Sequence, residues 1–235
     1  MSKENPVINP MSGTAIKNEL IDNFKTGLAS FVWGSPGTGK SEIINQVARE
    51  LKIGLVDIRV AGKDPVDMSG LPSIENRKSI WNIPDMLPNV ERDGAFGILF
   101  LDELTSAVPA MQTVAYQLVL EGKCGDYTLP PTWHVVAAGN YASDRAVVYR
   151  QSSALANRFG HYDLIVDTDE WIEWGIAMGI HEELLAFIRF RPALLHNMEP
   201  DKRAFPTPRT WENVNRHIPL MTPDNEYNKV AAFVG

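Results

Sequence analysis

The chain has 235 residues, 44% of them hydrophobic and 22% charged, and its formal net charge is -7 at pH 7. A chain of this length and composition can bury one substantial core, or one core and a small appended bundle. Its negative charge argues against general attraction to nucleic acid or to an anionic membrane, and no apolar run approaches the roughly 20 residues that cross a bilayer. The segment MSKENPVINP lacks the apolar stretch of a secretory signal, and Cys124 is the single cysteine. We therefore expect a cytoplasmic protein without disulfides.

Short apolar strands alternate with helical patterns over the first part of the chain. Ser30–Trp33 leads into a glycine-rich turn, after which apolar residues at helical spacing predict a helix over residues 40–51. Gly97–Leu101 is a continuous apolar run, as expected for a central strand covered on both faces. The other predicted elements are strands at Gly54–Val60, Val135–Gly139 and Tyr162–Val166 and a helix at Pro109–Leu120. This alternation favours an α/β fold built on a mostly parallel sheet.

The pattern changes to helices alone after residue 168. Asp169 can cap a helix that Gly179 ends, a second helix is predicted over Glu182–Phe190, and a third begins near Arg209. We therefore predict an α/β core over residues 1–168 and a small all-helical subdomain over residues 169–235.

The turn after the first predicted strand has the pattern G-x-x-x-x-G-K-S. It consists of Gly34, Ser35, Pro36, Gly37, Thr38, Gly39, Lys40 and Ser41. The glycines let backbone N–H groups turn inward around phosphates, and the following helix adds the positive end of its dipole. In this pattern the lysine reaches the β- and γ-phosphates and the last hydroxyl ligates Mg²⁺. Since the turn lies between a predicted strand and a predicted helix, we interpret it as a P-loop that binds ATP rather than as a plain glycine-rich turn.

Two adjacent carboxylates, Asp102 and Glu103, follow the apolar strand Gly97–Leu101. A buried strand that ends in two carboxylates costs stability unless they meet a cation. Asp102 is therefore the expected Mg²⁺ ligand, and Glu103 is the expected general base for the attacking water. Without the P-loop, the pair would be interpreted as the start of a helix.

Asn140 follows the strand Val135–Gly139. In a parallel sheet the end of this strand lies beside Asp102, so the Asn140 amide can orient the attacking water or contact the γ-phosphate. Taken alone, Asn140 would be interpreted as a turn residue beside a glycine.

Three arginines are candidates for contact with the γ-phosphate. Arg158, with Arg150 as the reserve candidate, lies just before the last core strand. An arginine supplied there to a neighbouring subunit could stabilise transition-state charge. Arg209 opens a helix of the C-terminal subdomain, where it could touch phosphate in its own subunit.

The histidines give no sign of a metal centre. They occupy positions 134, 161, 181, 196 and 217, without ligand spacing to cysteine or to carboxylates. We expect each of them to be a surface or helix-capping residue. The predicted metal ligands are therefore Ser41 and Asp102.

Taken in order, the segments GSPGTGKS, GILFLDE, VVAAGN, SALANRF and PTPRTW resemble the AAA+ superfamily, and most closely its MoxR-like branch. The stretch Asp64–Pro72 and the segment around Trp81 resemble that branch too. The resemblance covers about residues 10–215. It implies a P-loop core with a five-stranded sheet and a helical lid, and assembly into rings that are usually hexameric.

The resemblance also implies residue roles and partners. It places Asn140 at the sensor-1 position, Arg158 at the arginine finger and Arg209 at the sensor-2 position. Relatives in this branch often act with a protein that carries a von Willebrand A-type domain. The lid is shorter than the resemblance implies, since the sequence ends at Gly235 where similar chains continue into another helix. We therefore expect a truncated C-terminus.

Four functions compete on these motifs. The leading one is ATP-driven remodelling of a protein partner by an oligomeric ring. A DNA-associated loader or replication factor would share every motif but would bind DNA in a salt-sensitive way. A small-molecule P-loop kinase is disfavoured by the Asp102–Glu103 pair and Asn140. A binding module with an inactive site is disfavoured because the lysine, the hydroxyl and both carboxylates are present.

Overall fold

The computed structural model describes residues 9–144, 148–149, 151, 153–199 and 202–235. Its strands are β1 (Pro10–Met11), β2 (Ser30–Trp33), β3 (Gly54–Arg59), β4 (Leu71–Glu75), β5 (Lys78–Asn82), β6 (Gly97–Asp102), β7 (Lys123–Cys124), β8 (Tyr127–Thr128), β9 (Trp133–Gly139) and β10 (Gly160–Leu164). Its helices are α1 (Gly13–Thr26), α2 (Lys40–Leu51), α3 (Pro65–Ser69), α4 (Val90–Asp93), α5 (Pro109–Glu121), α6 (Ser153–Ala156), α7 (Thr168–Met178), α8 (Glu182–Phe190), α9 (Pro208–His217) and α10 (Glu226–Val234). Among these described helices, none combines the length and apolar character needed to cross a membrane.

A parallel sheet, which has six strands within the described residues, forms the centre of the α/β part. Its order is β1-β10-β2-β9-β6-β3, so β2 lies between β10 and β9, and β6 lies beside β9. The prediction of an α/β fold with a parallel sheet is confirmed, and the predicted strands are present. The sheet has one strand more than the resemblance implies, because Pro10 and Met11 pair with the edge of β10. Two residues are too few to give a periodic pattern in the sequence.

Both faces of the sheet are covered, which explains the unbroken apolar run of β6. Ile98 and Phe100 pack in a cluster with residues of α1 and α2. Leu99 and Leu101 pack in a second cluster, which includes residues of α5. These four side chains are at most 1% exposed. Because successive residues of a strand point to opposite faces, every position of β6 requires an apolar side chain.

Helices α7 to α10 pack around an apolar cluster of their own, which includes Trp171, Ile188 and Trp211. Trp211 Nε1 also donates to the Leu194 carbonyl at 2.7 Å, which ties α9 to the turn after α8. Helices are therefore present where the sequence predicted them, and α10 follows beyond the last predicted one.

The residue that caps α7 differs from the prediction. Asp167, and not Asp169, is the N-cap, and its side chain accepts from the Glu170 backbone N–H at 3.0 Å. Asp167 has extended backbone angles, φ -98° and ψ 126°, whereas Asp169 already lies in the first helical turn. A capping side chain must precede the helix, so Asp169 is placed too late to cap.

Strands β4 and β5 form a separate antiparallel hairpin that the sequence pattern did not predict. Its turn residues Asn76 and Arg77 both have positive φ, 50° and 64°. Two-residue hairpin turns usually carry glycine for this conformation, and the Asn-Arg pair lacks that signal. The hairpin residues Leu71 and Ile74 are 63% and 82% exposed.

Candidate active site

The strand order brings three predicted site segments to one edge of the sheet. Lys40 follows β2 through the glycine-rich turn, Asp102 ends β6, and Asn140 follows β9. Because β9 lies between β2 and β6, the carboxyl ends of these strands are neighbours. Ligands in open parallel sheets bind at this edge.

The phosphate loop (residues 34–41) enters α2 through Gly39, which has φ 99°. This conformation suits glycine, and Gly37 shares it with φ 79°. Gly39 forms no side-chain capping bond, so the first N–H groups of α2 have no side-chain acceptor at the cap. Uncapped N–H groups at a helix N-terminus, together with the helix dipole, favour an anion.

The Lys40 ammonium lies at the centre of the site. Its Nζ donates to the Gly34 carbonyl at 2.6 Å, to the Ser35 carbonyl at 3.0 Å and to Asn140 Oδ1 at 2.9 Å. Burial lowers the pKa of Lys40 to about 8, against the opposing pull of the Asp102 carboxylate. The predicted lysine and amide are therefore in direct contact across the sheet edge.

Ser41 and Asp102 form an oxygen pair next to this lysine. Ser41 Oγ donates to Asp102 Oδ2 at 3.2 Å, and the Glu103 backbone N–H donates to Asp102 Oδ1 at 2.8 Å. The described residues contain no group of three or more His, Cys, Asp or Glu side chains that could hold a metal. Mg²⁺ is usually held by one or two carboxylates plus substrate phosphates, so a hydroxyl and a carboxylate fit it.

The backbone of Glu103 has the left-handed conformation, with φ 56° and ψ 33°. Its Oε1 lies 3.4 Å from Nε of Arg59, whose side chain is 65% exposed. The sequence pattern did not predict a role for Arg59, because only the register of β3 against β6 places Arg59 opposite Asp102. The site therefore brings a guanidinium next to the predicted general base.

Asn140 is fixed through its backbone by Thr105, a second residue that the sequence pattern did not predict. The Asn140 N–H donates to Thr105 Oγ1 at 3.1 Å, and Thr105 Oγ1 donates to the Asn140 carbonyl at 3.4 Å. Thr105 is fully buried. A threonine two residues after Glu103 carries no motif of its own, so only the fold reveals this contact.

A cavity of about 620 Å³ opens beside the phosphate loop. It is bounded by the start of α1, by the first turns of α2 and by helices α7 and α9. Arg209 lines it, and the Arg209 backbone N–H donates to the Gly37 carbonyl at 3.2 Å. Thr207 packs so closely that a Cβ on Gly37 would lie 2.7 Å from its Oγ1. The C-terminal helices therefore contact the phosphate loop directly, and the volume suits a small-molecule ligand.

Arg158, the leading candidate to act on a neighbouring subunit, is not brought into this site. Arg158 is exposed in the turn after α6 and does not line the cavity. Arg150 lies outside the described residues. His161 connects this turn to β2, because Trp33 Nε1 donates to His161 Nδ1 at 2.9 Å and His161 Nε2 contacts the Ala156 carbonyl at 2.7 Å.

Comparison with known proteins gives a fold and a family. Residues 30–159 match the model of the ATPase family associated with various cellular activities (AAA). No curated protein sequence gives a match. A proposed ATPase from Cytophaga hutchinsonii ATCC 33406 has a TM-score of 0.54 at 19% identity, covering 75% of this chain and 53% of that one. This chain thus spans about half the length of the Cytophaga protein.

Structures of Thermotoga maritima RuvB are also similar. A point mutant of RuvB, with arginine in place of one lysine, has a TM-score of 0.55 at 17% identity, covering 93% of this chain and 69% of that one. The RuvB Holliday junction branch migration motor has a TM-score of 0.52 at 16% identity, covering 94% and 68%. At this identity the likeness shows the fold alone.

The family match covers more than half of the chain and includes the phosphate loop, the two carboxylates and Asn140. The chain therefore belongs to the AAA family of ATPases.

Proposed function

We propose that the protein hydrolyses Mg·ATP as a ring, of six subunits in the manner of MoxR-like relatives, and thereby remodels or activates a protein partner. The observation that carries the ATP chemistry is a pair of hydrogen bonds at one sheet edge. Ser41 bonds to Asp102, and Lys40 bonds to Asn140. In this proposal residues 1–168 form the nucleotide-binding core and residues 169–235 form the lid. The site of action is the cytoplasm.

In this proposal the site residues bind the phosphates and Mg²⁺ and activate the attacking water. Lys40 leaves its loop carbonyls to hold the β- and γ-phosphates, while Ser41 and Asp102 hold Mg²⁺. Mg²⁺ held by these two residues would neutralise charge that develops on the phosphates. Glu103 accepts a proton from the attacking water once its carboxylate is free of Arg59, and Asn140 orients that water.

Two arginines complete the site, one from the lid of the same subunit and one from the core of a neighbouring subunit. Arg209 contacts phosphate in its own subunit, a role supported by its place on the cavity wall. Arg158, or Arg150 in reserve, acts on the nucleotide of the next subunit. The exposure of Arg158 supports a role in a neighbour's site better than a role in its own.

A protein partner is supported by the exposed apolar side chains of the β4–β5 hairpin. Ile80 and Trp81 are 40% and 41% exposed, next to the more exposed Leu71 and Ile74. Exposed apolar patches mark contact with proteins more often than with nucleic acid, whose contacts are basic. By resemblance, the partner carries a von Willebrand A-type domain.

DNA is the competing partner. The Thermotoga structures include a Holliday junction branch migration motor, but 16% identity carries no partner from one chain to the other. The net charge of -7 disfavours general DNA binding. Salt-sensitive binding of duplex or branched DNA by this chain would replace the protein partner with DNA.

Two variants test the ATP chemistry. Glu103→Gln keeps the side-chain shape and removes the base, so it should bind ATP while turnover falls about 10²- to 10⁴-fold. Lys40→Ala should lose nucleotide binding. Glu121→Gln, an exposed glutamate at the end of α5, is the matched control and should keep wild-type turnover. Equal ATPase rates in wild type and Glu103→Gln would remove Glu103 from the mechanism.

A further inference from the structure

His196 lies in a second cavity that adjoins the nucleotide cavity. This space of about 270 Å³ is walled by Ser35 and Thr38 of the phosphate loop, by Thr168 at the start of α7, and by Leu195 and His196 in the turn after α8. Thr38 also lines the larger cavity, as do residues 164–166, so the two spaces share a wall. The smaller cavity therefore lies between the phosphate loop and the lid (residues 169–235).

Two buried polar atoms near this cavity lack hydrogen-bond partners in the described part of the chain. They are His196 Nε2 and Asp144 Oδ2. Buried polar atoms in native proteins are nearly always satisfied, and an unpaired one costs about 1–3 kcal/mol. The unpaired His196 Nε2 in the wall of a cavity beside the phosphate loop indicates that a ligand or its water completes the arrangement.

The side chains of His196 and Asp144 both interact electrostatically with Lys40. Burial lowers the pKa of His196, the Asp144 carboxylate opposes this, and the Lys40 ammonium adds to it. Asp144 likewise raises the pKa of Lys40. The other described residues that line the cavity carry no titratable group. His196 was expected at the surface or at a helix cap, and its buried Nε2 contradicts that expectation.

We propose that His196 is a phosphate-contacting residue of the lid, whose Nε2 donates a hydrogen bond to the γ-phosphate of ATP bound in the same subunit. This inference rests on the proposed ATP site and adds a residue to it. The γ-phosphate adds negative charge beside the imidazole ring of His196. It also offsets the positive charge of Lys40, which opposes protonation of that ring. ATP therefore draws a proton onto His196, and ADP, which lacks the γ-phosphate, does so less.

The test is nucleotide binding by titration calorimetry, with ADP and a non-hydrolysable ATP analogue. Wild type should bind the analogue more tightly than ADP. In His196→Gln the ratio of the two affinities should fall about tenfold, as expected for the loss of one hydrogen bond to a charged group. Titrations in two buffers of different ionisation enthalpy should show proton uptake on analogue binding that His196→Gln lacks. Affinity for the analogue should rise as pH falls from about 8 to about 6 in wild type, across the range where histidine titrates, and change less in the variant.

Two further variants keep the test decisive. His217→Gln is the matched control, because His217 belongs to the lid but bonds the Asn213 carbonyl at 2.9 Å and lines neither cavity. Asp144→Asn should reduce the pH dependence and keep part of the ATP preference. Thermal melting curves verify that each variant is folded.

The two proposals fail separately. If Lys40→Ala binds nucleotide as tightly as wild type, the proposed ATP site is wrong. If Lys40→Ala loses binding while His196→Gln keeps the full ATP preference and proton uptake, the ATP site stands and His196 has no contact with phosphate.

Discussion

The carboxyl edge of the central sheet and the β4–β5 hairpin depart from ordinary burial in opposite directions. At the sheet edge, two charged residues, Lys40 and Asp102, are each only 9% exposed. In the hairpin, the apolar Ile74 is 82% exposed. Folded chains normally expose charges and bury large apolar groups.

The two regions are therefore suited to two different kinds of partner. Buried charges must be paired with charges or hydrogen bonds, and the edge residues satisfy one another until a charged ligand replaces those bonds. Exposed apolar groups gain free energy only when another surface covers them. The sheet edge is suited to a small charged ligand, and the hairpin is suited to an apolar protein surface.

The first prediction concerns whether the sheet edge is complete within one subunit, and it carries the largest expected effect. Arg158→Ala should lower ATP turnover about 10³-fold or more, because an arginine supplied in trans stabilises transition-state charge. Nucleotide binding should remain. Mixing Arg158→Ala with Lys40→Ala subunits should restore part of the turnover at interfaces that combine an intact phosphate loop with an intact Arg158.

The control for that experiment is Arg216→Ala, an exposed arginine of α9 paired with Glu212 at 2.5 Å. It should keep wild-type turnover, because exposed ion pairs contribute little. Specific activity should also rise with protein concentration as rings form. Full-rate hydrolysis by monomers at high dilution would show that the sheet edge needs no neighbour, and Arg150 would lose its reserve role as well.

The second prediction concerns the contact between the C-terminal helices and the phosphate loop. Arg209→Ala should weaken ATP binding or turnover about tenfold, as expected for one charged hydrogen bond, and should leave assembly intact. Nucleotide titration and size-exclusion chromatography would measure the two effects. A structure with a bound ATP analogue in which the Arg209 guanidinium lies far from every phosphate would reject this role.

The third prediction concerns the hairpin and has the smallest effect on the isolated protein. Ile74→Ser should change the free energy of unfolding by less than about 0.5 kcal/mol and basal turnover by less than about twofold, because the side chain packs against little in this chain. Leu99→Ala, in the buried strand β6, is the contrast and should cost about 2–5 kcal/mol. Denaturant unfolding curves would measure both. A loss above about 1.5 kcal/mol for Ile74→Ser would show that the hairpin apolar face belongs to the core of this protein.

Sequence alone was enough to find the residues of the phosphate loop and the carboxylate that meet at the sheet edge. Lys40, Ser41 and Asp102 lie in local motifs whose spacing reflects backbone geometry, so residue type and order are enough to interpret them. The strand pattern was also local, because a strand buried on both faces, such as Gly97–Leu101, needs apolar residues at every position. The roles of these residues in hydrolysis stay predictions.

Tertiary structure decided which side chains from distant segments meet. Arg59 reaches Glu103 only through the register of two parallel strands, and Thr105 fixes Asn140 across 35 positions of sequence. His196 comes to the phosphate loop only because the C-terminal helices fold back onto it. Such contacts depend on how strands align and helices pack, and a single sequence records neither. A lone arginine, threonine or histidine therefore has no signal until the chain is folded.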